Sequence, residues 1–151
     1  MLAELTPIWK QFEETYAALR PALTAVPDDW LAWCPAPGAT CVAAIVQHIA
    51  GANVRYCNWI EHGERGRAWE VEEHADRDLL LQRLALSEER VRACFTGLDE
   101  AGLRRVIAER WHPLGPEVKG PLDALWFAHQ IVRHSAYHLG QIYYILLLLG
   151  L

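Results

Sequence analysis

The chain has 151 residues, of which 52% are hydrophobic and 22% are charged, proportions typical of a globular protein rather than a disordered one. This length predicts a single domain that spans residues 1–151 and has its own core. A net charge of −5 and the lack of a basic stripe argue against nucleic acid as a partner.

The N-terminal sequence, the length of the apolar runs and the cysteines predict a cytoplasmic protein that does not span a membrane. The N-terminus lacks the basic start and apolar run of a signal peptide. The longest apolar run, Ile142 to Leu149, is too short to cross a bilayer. The four cysteines form no C-x-x-C pair, so we expect reduced thiols that fill the core. They are Cys34, Cys41, Cys57 and Cys94.

Apolar residues at helical spacing predict two helices in the first part of the chain. The first runs roughly from Thr6 to Val26, with Thr6 as its N-cap and Pro7 at its first position. Pro21 is expected to kink this helix or to begin a separate turn. A proline-rich loop follows. Thr40 is the expected N-cap of the second helix, which extends to about His62.

Two more helices are predicted in the second part. The third runs from about Asp76 to Leu98. Residues 99–120 are rich in proline and glycine and predict a long connection with little regular structure, apart from a short strand at Arg105 to Ala108. The last helix covers Pro121 to Leu151, with Pro121 near its start, Asp123 favouring its N-terminal end and Gly150 as its stop.

Three histidines lie on apolar helix faces. His134 and His138 are four residues apart, so their side chains are neighbours that can reach one metal ion. They share the stripe of Ile131, Ile142 and Ile145. His48 lies on the apolar face of the second helix with Cys41, Ile45, Ala52, Tyr56 and Trp59. If these faces meet in one core, three imidazoles converge and leave coordination positions open, as in a catalytic site.

Most other candidate residues favour a structural interpretation. A single histidine on an apolar face is usually a hydrogen-bonded core residue. No site is therefore assigned to the remaining histidines, which are His62, His74, His112 and His129. Three tryptophans are predicted in the core, namely Trp9, Trp59 and Trp126. Three others are candidates for a pocket mouth, namely Trp30, Trp33 and Trp111.

Two segments resemble the DinB/YfiT-like metalloprotein family. They are QHIAGANVRYCNW, preceded by WCPAPGATCVAAIV, and RHSAYHLGQIYYILLLLG. The resemblance covers essentially the whole chain and implies an all-α fold, a DinB-like four-helix bundle with up-down-down-up topology. It also implies one divalent metal ion per chain, bound by His48, His134 and His138. Many members carry a basic residue after the final histidine, where this chain has Leu139.

Other metal architectures do not fit the sequence. A di-iron bundle needs inward carboxylates, and no acidic residue follows Asp123. A zinc protease needs glutamate after the first histidine of its pair, where this chain has Ser135. Hydrolysis would therefore need a base from elsewhere, whereas a metal-bound thiol loses its proton directly. Gln141 either orients an imidazole or substrate, or serves only in packing.

The resemblance extends to thiol-dependent transferases and isomerases that use bacillithiol, mycothiol or glutathione. The predicted function is a metal-dependent enzyme that transfers a low-molecular-weight thiol to a small electrophile, with nickel or zinc favoured. A non-catalytic metal-binding or interaction bundle and a metal-dependent hydrolase are the alternatives. We also expect a homodimer, because the last helix is apolar on nearly every side from Ile142 to Leu149.

Overall fold

A computed structural model describes residues 1–111 and 117–151. Four long helices pack side by side, and a short helix and a two-stranded antiparallel hairpin lie between the last two of them. No helix in the described ranges is long and apolar enough to cross a membrane. The elements are α1 (Leu5–Ala25), a 3₁₀ turn (Asp28–Trp30), α2 (Val42–His62), α3 (Arg77–Gly97), α4 (Glu100–Arg104), β1 (Val106–Trp111), β2 (Val118–Asp123) and α5 (Ala124–Leu149).

The helices α2 and α3 run parallel. The Arg83 guanidinium of α3 donates to the Gln47 amide oxygen near the start of α2, and Arg90 donates to Glu61 near its end at 2.7 Å. A parallel pair requires a long crossover, and residues 63–76 provide it. Gln47 fastens this crossover to α2 by two hydrogen bonds to the backbone of Glu72, at 2.9 and 2.7 Å.

The other two long helices run opposite to this pair. On α5, His138 faces His48 at the beginning of α2, and Phe127 stacks on Trp59 near its end. On α1, Tyr16 bonds to Ser87 and Trp9 packs on Phe95 further along α3, so α1 is antiparallel to α3. The topology is therefore up-down-down-up, and the predicted all-α DinB-like bundle is confirmed.

The start of α1 differs from the prediction, and its proline does not interrupt the helix. The helix begins at Leu5, and the Thr6 hydroxyl donates to the Leu2 carbonyl at 3.2 Å instead of capping the helix. Pro21 lies inside one continuous helix, so it does not begin a separate turn. Proline removes the hydrogen bond of its own nitrogen and crowds the carbonyl four residues earlier, and the buried side chains of Ala22 and Leu23 pack this last turn against the core.

Side-chain capping was predicted correctly at some helix starts and incorrectly at others. Asp76, the expected start of the third helix, is the N-cap of α3 and accepts from the Leu79 amide at 2.8 Å. Thr40 lies outside α2, whose N-cap is Cys41. Asp123 caps α5, and Pro121 belongs to β2 rather than to the helix. A proline fits there because a strand of a two-stranded hairpin leaves one edge unpaired.

The connection before α5 is more ordered than the sequence suggests. The prediction of little regular structure is wrong, because the segment contains α4 and the β1–β2 hairpin. The Asp99 carboxylate caps α4 by accepting from the Gly102 amide at 2.7 Å. The strand expected at Arg105 to Ala108 corresponds to β1. His112 and the rest of residues 112–116 lie outside the described residues.

A polar network crosses the centre of the bundle, with one residue from each long helix. The Tyr16 hydroxyl lies 2.9 Å from the Ser87 hydroxyl and accepts from the Asn53 amide at 2.8 Å. Asn53 also donates to the Ser135 hydroxyl at 3.2 Å. All four side chains are fully buried. Buried polar groups must be paired, so this network ties the four helices to one register.

Removing one hydroxyl from the network tests its role. We expect Tyr16→Phe to lower the free energy of unfolding by about 1–3 kcal/mol, since Ser87 and Asn53 lose a buried partner. Chemical denaturation measures this change. The matched control is Tyr143→Phe on the exposed side of α5, for which a change within about 0.5 kcal/mol is expected. Equal effects of the two substitutions would contradict the structural role of the network.

Candidate metal site

The three predicted histidines converge between α2 and α5. The Nε2 atom of His134 lies 3.0 Å from Nε2 of His48 and 3.1 Å from Nε2 of His138. One ligand nitrogen from each ring lies within 4.8 Å of the others. His138 is buried, His134 is half-buried and His48 is partly exposed, so the group opens toward solvent on the α2 side.

The spacing of the three nitrogens fits a single metal ion. Bonds of roughly 2.0–2.1 Å in a tetrahedral site place ligand nitrogens about 3.3 Å apart. The Nε2 separations of His134 from its two neighbours are close to this value. Three nitrogens that face one another cannot all be satisfied by hydrogen bonds among themselves, whereas a cation between them would use every lone pair. The chemistry of the three donors therefore fits a divalent ion.

All three imidazoles are neutral at physiological pH. Burial lowers the pKa of His48 from its ordinary value to about 4, with further contributions from His138 and Arg55. Burial, His138, His48 and Arg55 lower the pKa of His134 to about 3. Burial also lowers the pKa of His138, although its bond to Gln141 acts in the opposite direction. None of the three imidazoles therefore has to lose a proton before it binds a metal.

Gln141 holds one of the three rings in place. Its Oε1 atom lies 2.6 Å from Nδ1 of His138, one turn earlier on α5. An amide oxygen accepts from Nδ1–H, which leaves the Nε2 lone pair of His138 facing the other two rings. Of the two roles open to Gln141, the structure shows contact with an imidazole. Nδ1 of His134 is buried and has no hydrogen-bond partner within the described residues.

Tyr137 is a neighbour of the site that the sequence analysis missed. Its ring centroid lies 5.0 Å from that of His138, and its hydroxyl accepts from Nε2 of Gln141 at 3.3 Å. The signal was present in the sequence, because Tyr137 and Gln141 are four residues apart and share one side of a helix. Tyr137 thereby supports the amide that positions His138.

A cleft of about 510 Å³ lies about one helical turn from two of the three histidines, His48 and His138. Gln141 links it to His138, and Ile45 lies one turn before His48 on α2. Its lining contains no carboxylate and no histidine and consists of Pro35, Ala39, Thr40, Ile45, Tyr137, Gly140, Gln141, Tyr144 and Ile145. A larger hollow of about 620 Å³ lies away from the triad, near α4. The smaller cleft is the one adjacent to the candidate ligands.

The remaining histidines and the cysteines lie outside this group. His62, His74 and His129 are exposed, and none of them belongs to the metal-binding cluster found in the described residues. Cys57 and Cys94 are buried, as expected of core residues. The same expectation is wrong for Cys34, which is exposed in the loop before α2, and Cys41 is only partly buried.

The tryptophans divide differently from the prediction. Trp9 is buried, and Trp59 and Trp126 pack against the core as expected. Trp111 joins the same core, with its ring centroid 5.1 Å from that of Phe127. Trp30 and Trp33 pack on each other at the surface, with ring centroids 5.7 Å apart. None of the three predicted pocket-mouth tryptophans (Trp30, Trp33 and Trp111) lines the cleft beside the histidines.

Comparison with known proteins places the chain in a family. The sequence model of the DinB superfamily matches residues 11–142. The fold is similar to that in a crystal structure described as a conserved protein from Enterococcus faecalis, with a TM-score of 0.76 and 16% sequence identity, covering all of both chains. At that identity the similarity concerns the fold alone. No functionally curated protein matches the sequence.

Proposed function

The chain belongs to the DinB superfamily, and we propose that it is a metal-dependent enzyme that transfers a low-molecular-weight thiol to a small electrophile. In this proposal His48, His134 and His138 bind one divalent ion, for which nickel or zinc is favoured because imidazole suits both. The observation that carries the proposal is the convergence of three neutral imidazoles next to an open cleft.

The absence of carboxylates among the ligands determines the chemistry. His48, His134 and His138 would hold a divalent ion without compensating its charge, and the ion would supply the positive charge that favours the thiolate form of a thiol. The Gln141 amide oxygen accepts from Nδ1–H of His138, which leaves the Nε2 lone pair for the ion, and Ile45 and Ile145 make part of the adjacent cleft wall apolar. The thiol proton passes to solvent. The sulfur lone pair forms the new bond to carbon, and the leaving group departs with the electrons of the bond that breaks.

The two alternatives are less well supported by the surroundings of the triad. A metal-dependent hydrolase needs a general base within reach of the attacking water, and no carboxylate or further histidine lines the adjacent cleft. A non-catalytic metal-binding bundle needs no access to the ion, whereas here His48 is partly exposed and a cleft lies alongside. Accessible ligands without a nearby base favour thiol activation.

Metal binding is the first property to test. We expect purified protein to bind about one divalent ion per chain and to lose most of its affinity in His48→Ala, His134→Ala and His138→Ala. Gln141→Leu should weaken binding by about 10–100-fold, because the ring of His138 loses its orienting partner. Elemental analysis and competition with a chelating dye measure stoichiometry and affinity.

Matched controls separate these effects from general damage. His129→Ala removes an exposed histidine of α5, and Gln82→Leu removes an exposed glutamine of α3. Neither should change metal affinity. Full occupancy in a His134→Ala/His138→Ala double variant would refute the ligand assignment.

The second test concerns thiol transfer. Bacillithiol, mycothiol and glutathione are each offered with a chromogenic electrophile to metal-loaded wild type, to metal-free protein and to His48→Ala. We expect turnover with at least one thiol, and its loss when either the metal or His48 is removed. In cobalt-substituted protein, binding of the active thiol should change the visible spectrum. If no thiol binds or alters that spectrum, the transfer proposal is wrong. The non-catalytic metal-binding bundle and the metal-dependent hydrolase are then the functions to test.

We also propose that the protein is a homodimer that uses the outer face of α5. This face comprises Tyr137, Tyr144 and Leu147, which recur at helical spacing. Tyr144 is 61% exposed and Leu147 is 72% exposed, which is unusual for large apolar side chains that lie so close together on one helix. Packing against a second copy would remove this surface from water.

A charge introduced into the outer face of α5 tests the dimer. Light scattering at micromolar concentration should give twice the 17.1 kDa chain mass for wild type and the chain mass for Leu147→Glu. The control is Leu86→Glu, which places the same charge on an exposed leucine of α3 and should leave the dimer intact. A wild-type protein that scatters as a monomer would rule the dimer out.

A further inference from the structure

One arginine near the candidate metal site differs from the other arginines of the bundle. In residues 1–111 and 117–151, five arginines are buried or half-buried. Four of them have a carboxylate partner, namely Arg20 with Glu88, Arg77 with Asp28, Arg83 with Glu72 and Arg90 with Glu61. Arg55 on α2 makes no ion pair and no side-chain hydrogen bond with the described residues. A cation that is partly removed from water without a partner is costly, so this arrangement calls for an explanation.

The Arg55 side chain folds back along α2 toward the histidines. A Cβ placed on Gly51 would lie 3.3 Å from Nη1 of Arg55 and 3.6 Å from Cβ of Ala68 in the crossover. The guanidinium therefore occupies the space that glycine leaves free, one turn closer to His48 than the backbone of Arg55. Because helical side chains lean toward the N-terminus, this direction is the natural one for a residue two turns after His48.

The guanidinium is close enough to act on the triad electrostatically. Its Nη1 atom lies over Gly51, which follows His48 by three residues on α2, so the charge is about one helical turn from His48. Arg65 in the crossover is near enough to repel it, which adds to the burial that lowers the pKa of Arg55. Two positive side chains and a divalent ion would thus share one region, with no carboxylate among the candidate ligands. Such a region favours an anion.

We infer that Arg55 binds the carboxylate of the molecule that occupies the candidate metal site, so that the site selects small ligands bearing a carboxylate. The planar guanidinium matches a carboxylate with two parallel hydrogen bonds, and this pairing would compensate the missing partner of Arg55. The inference rests on the proposed function, because it describes the ligand of the same site. Arg55 acts here as a specificity-determining residue and takes no part in the bond-making step.

Pairs of simple thiols that differ in one group test this inference. The probes are mercapto carboxylic acids of increasing chain length, each compared with the mercapto alcohol of the same length. Cobalt-substituted protein reports thiol binding through its visible absorption, so dissociation constants come from titration without any turnover. We expect wild type to bind at least one acid about 10-fold or more tightly than the matching alcohol, a ratio that corresponds to 1.4 kcal/mol.

Substitutions at Arg55 then test whether this residue causes the preference for the acid. Arg55→Met should bring acid and alcohol to similar affinity, and Arg55→Lys should retain part of the preference through its charge. Arg92→Met removes an exposed arginine of α3 that pairs with Glu13, and it should keep the wild-type preference. Circular dichroism and cobalt content verify that the variants fold and load.

The possible failures are distinct. Equal binding of acid and alcohol by wild type, or a preference that survives in Arg55→Met, would overturn the role of Arg55 and leave the proposed thiol chemistry intact. If neither acids nor alcohols bind the cobalt-loaded protein, the thiol function and the inference that depends on it are both wrong.

Discussion

The structure depends on the pairing of four polar side chains that have no access to water. Tyr16, Asn53, Ser87 and Ser135 come from the four long helices and bond only to one another at the bundle centre. A shift of α5 by one turn would break the contact between Asn53 and Ser135 and leave both unsatisfied. Since Ser135 follows His134 directly, the same contact that sets the register of α5 also sets the height of its histidines opposite His48.

Neutral ligands and a cationic neighbour give the candidate site an unusual charge balance for a metal-binding region. Burial keeps the three imidazoles unprotonated, so they contribute lone pairs without compensating a bound ion. Arg55 adds positive charge and has no ion-pair partner within the described residues. Any anion that enters, whether a thiolate at the ion or a carboxylate at the guanidinium, would reduce this excess. The same charge balance disfavours a neutral water molecule as the competing ligand.

Local patterns predicted the helices and the triad, whereas long-range contacts could not be read from the sequence. The apolar spacing around His134 and His138 identifies an inward face whatever the partner helix is. Pro121 suggested a helix start because proline is common there. It lies in a strand instead, and that strand exists only because β2 pairs with β1, a contact that the local pattern around Pro121 does not show. Arg55 was overlooked for the same reason. An arginine on a helix is ordinary, and its lack of a carboxylate becomes visible only when the neighbouring chain segments are in place.

The helix α5 presents different chemistry on each of its sides, and this arrangement couples the proposed assembly to the proposed activity. His134 and His138 point inward, Gln141 faces the cleft, and Leu147 is exposed. Tyr137 and Tyr144 belong both to the lining of the cleft and to the outer face of α5. A second copy that packs on this face would therefore form part of the cleft wall. Changes at the proposed dimer contact should then alter the access of ligands to the triad as well as the mass of the particle.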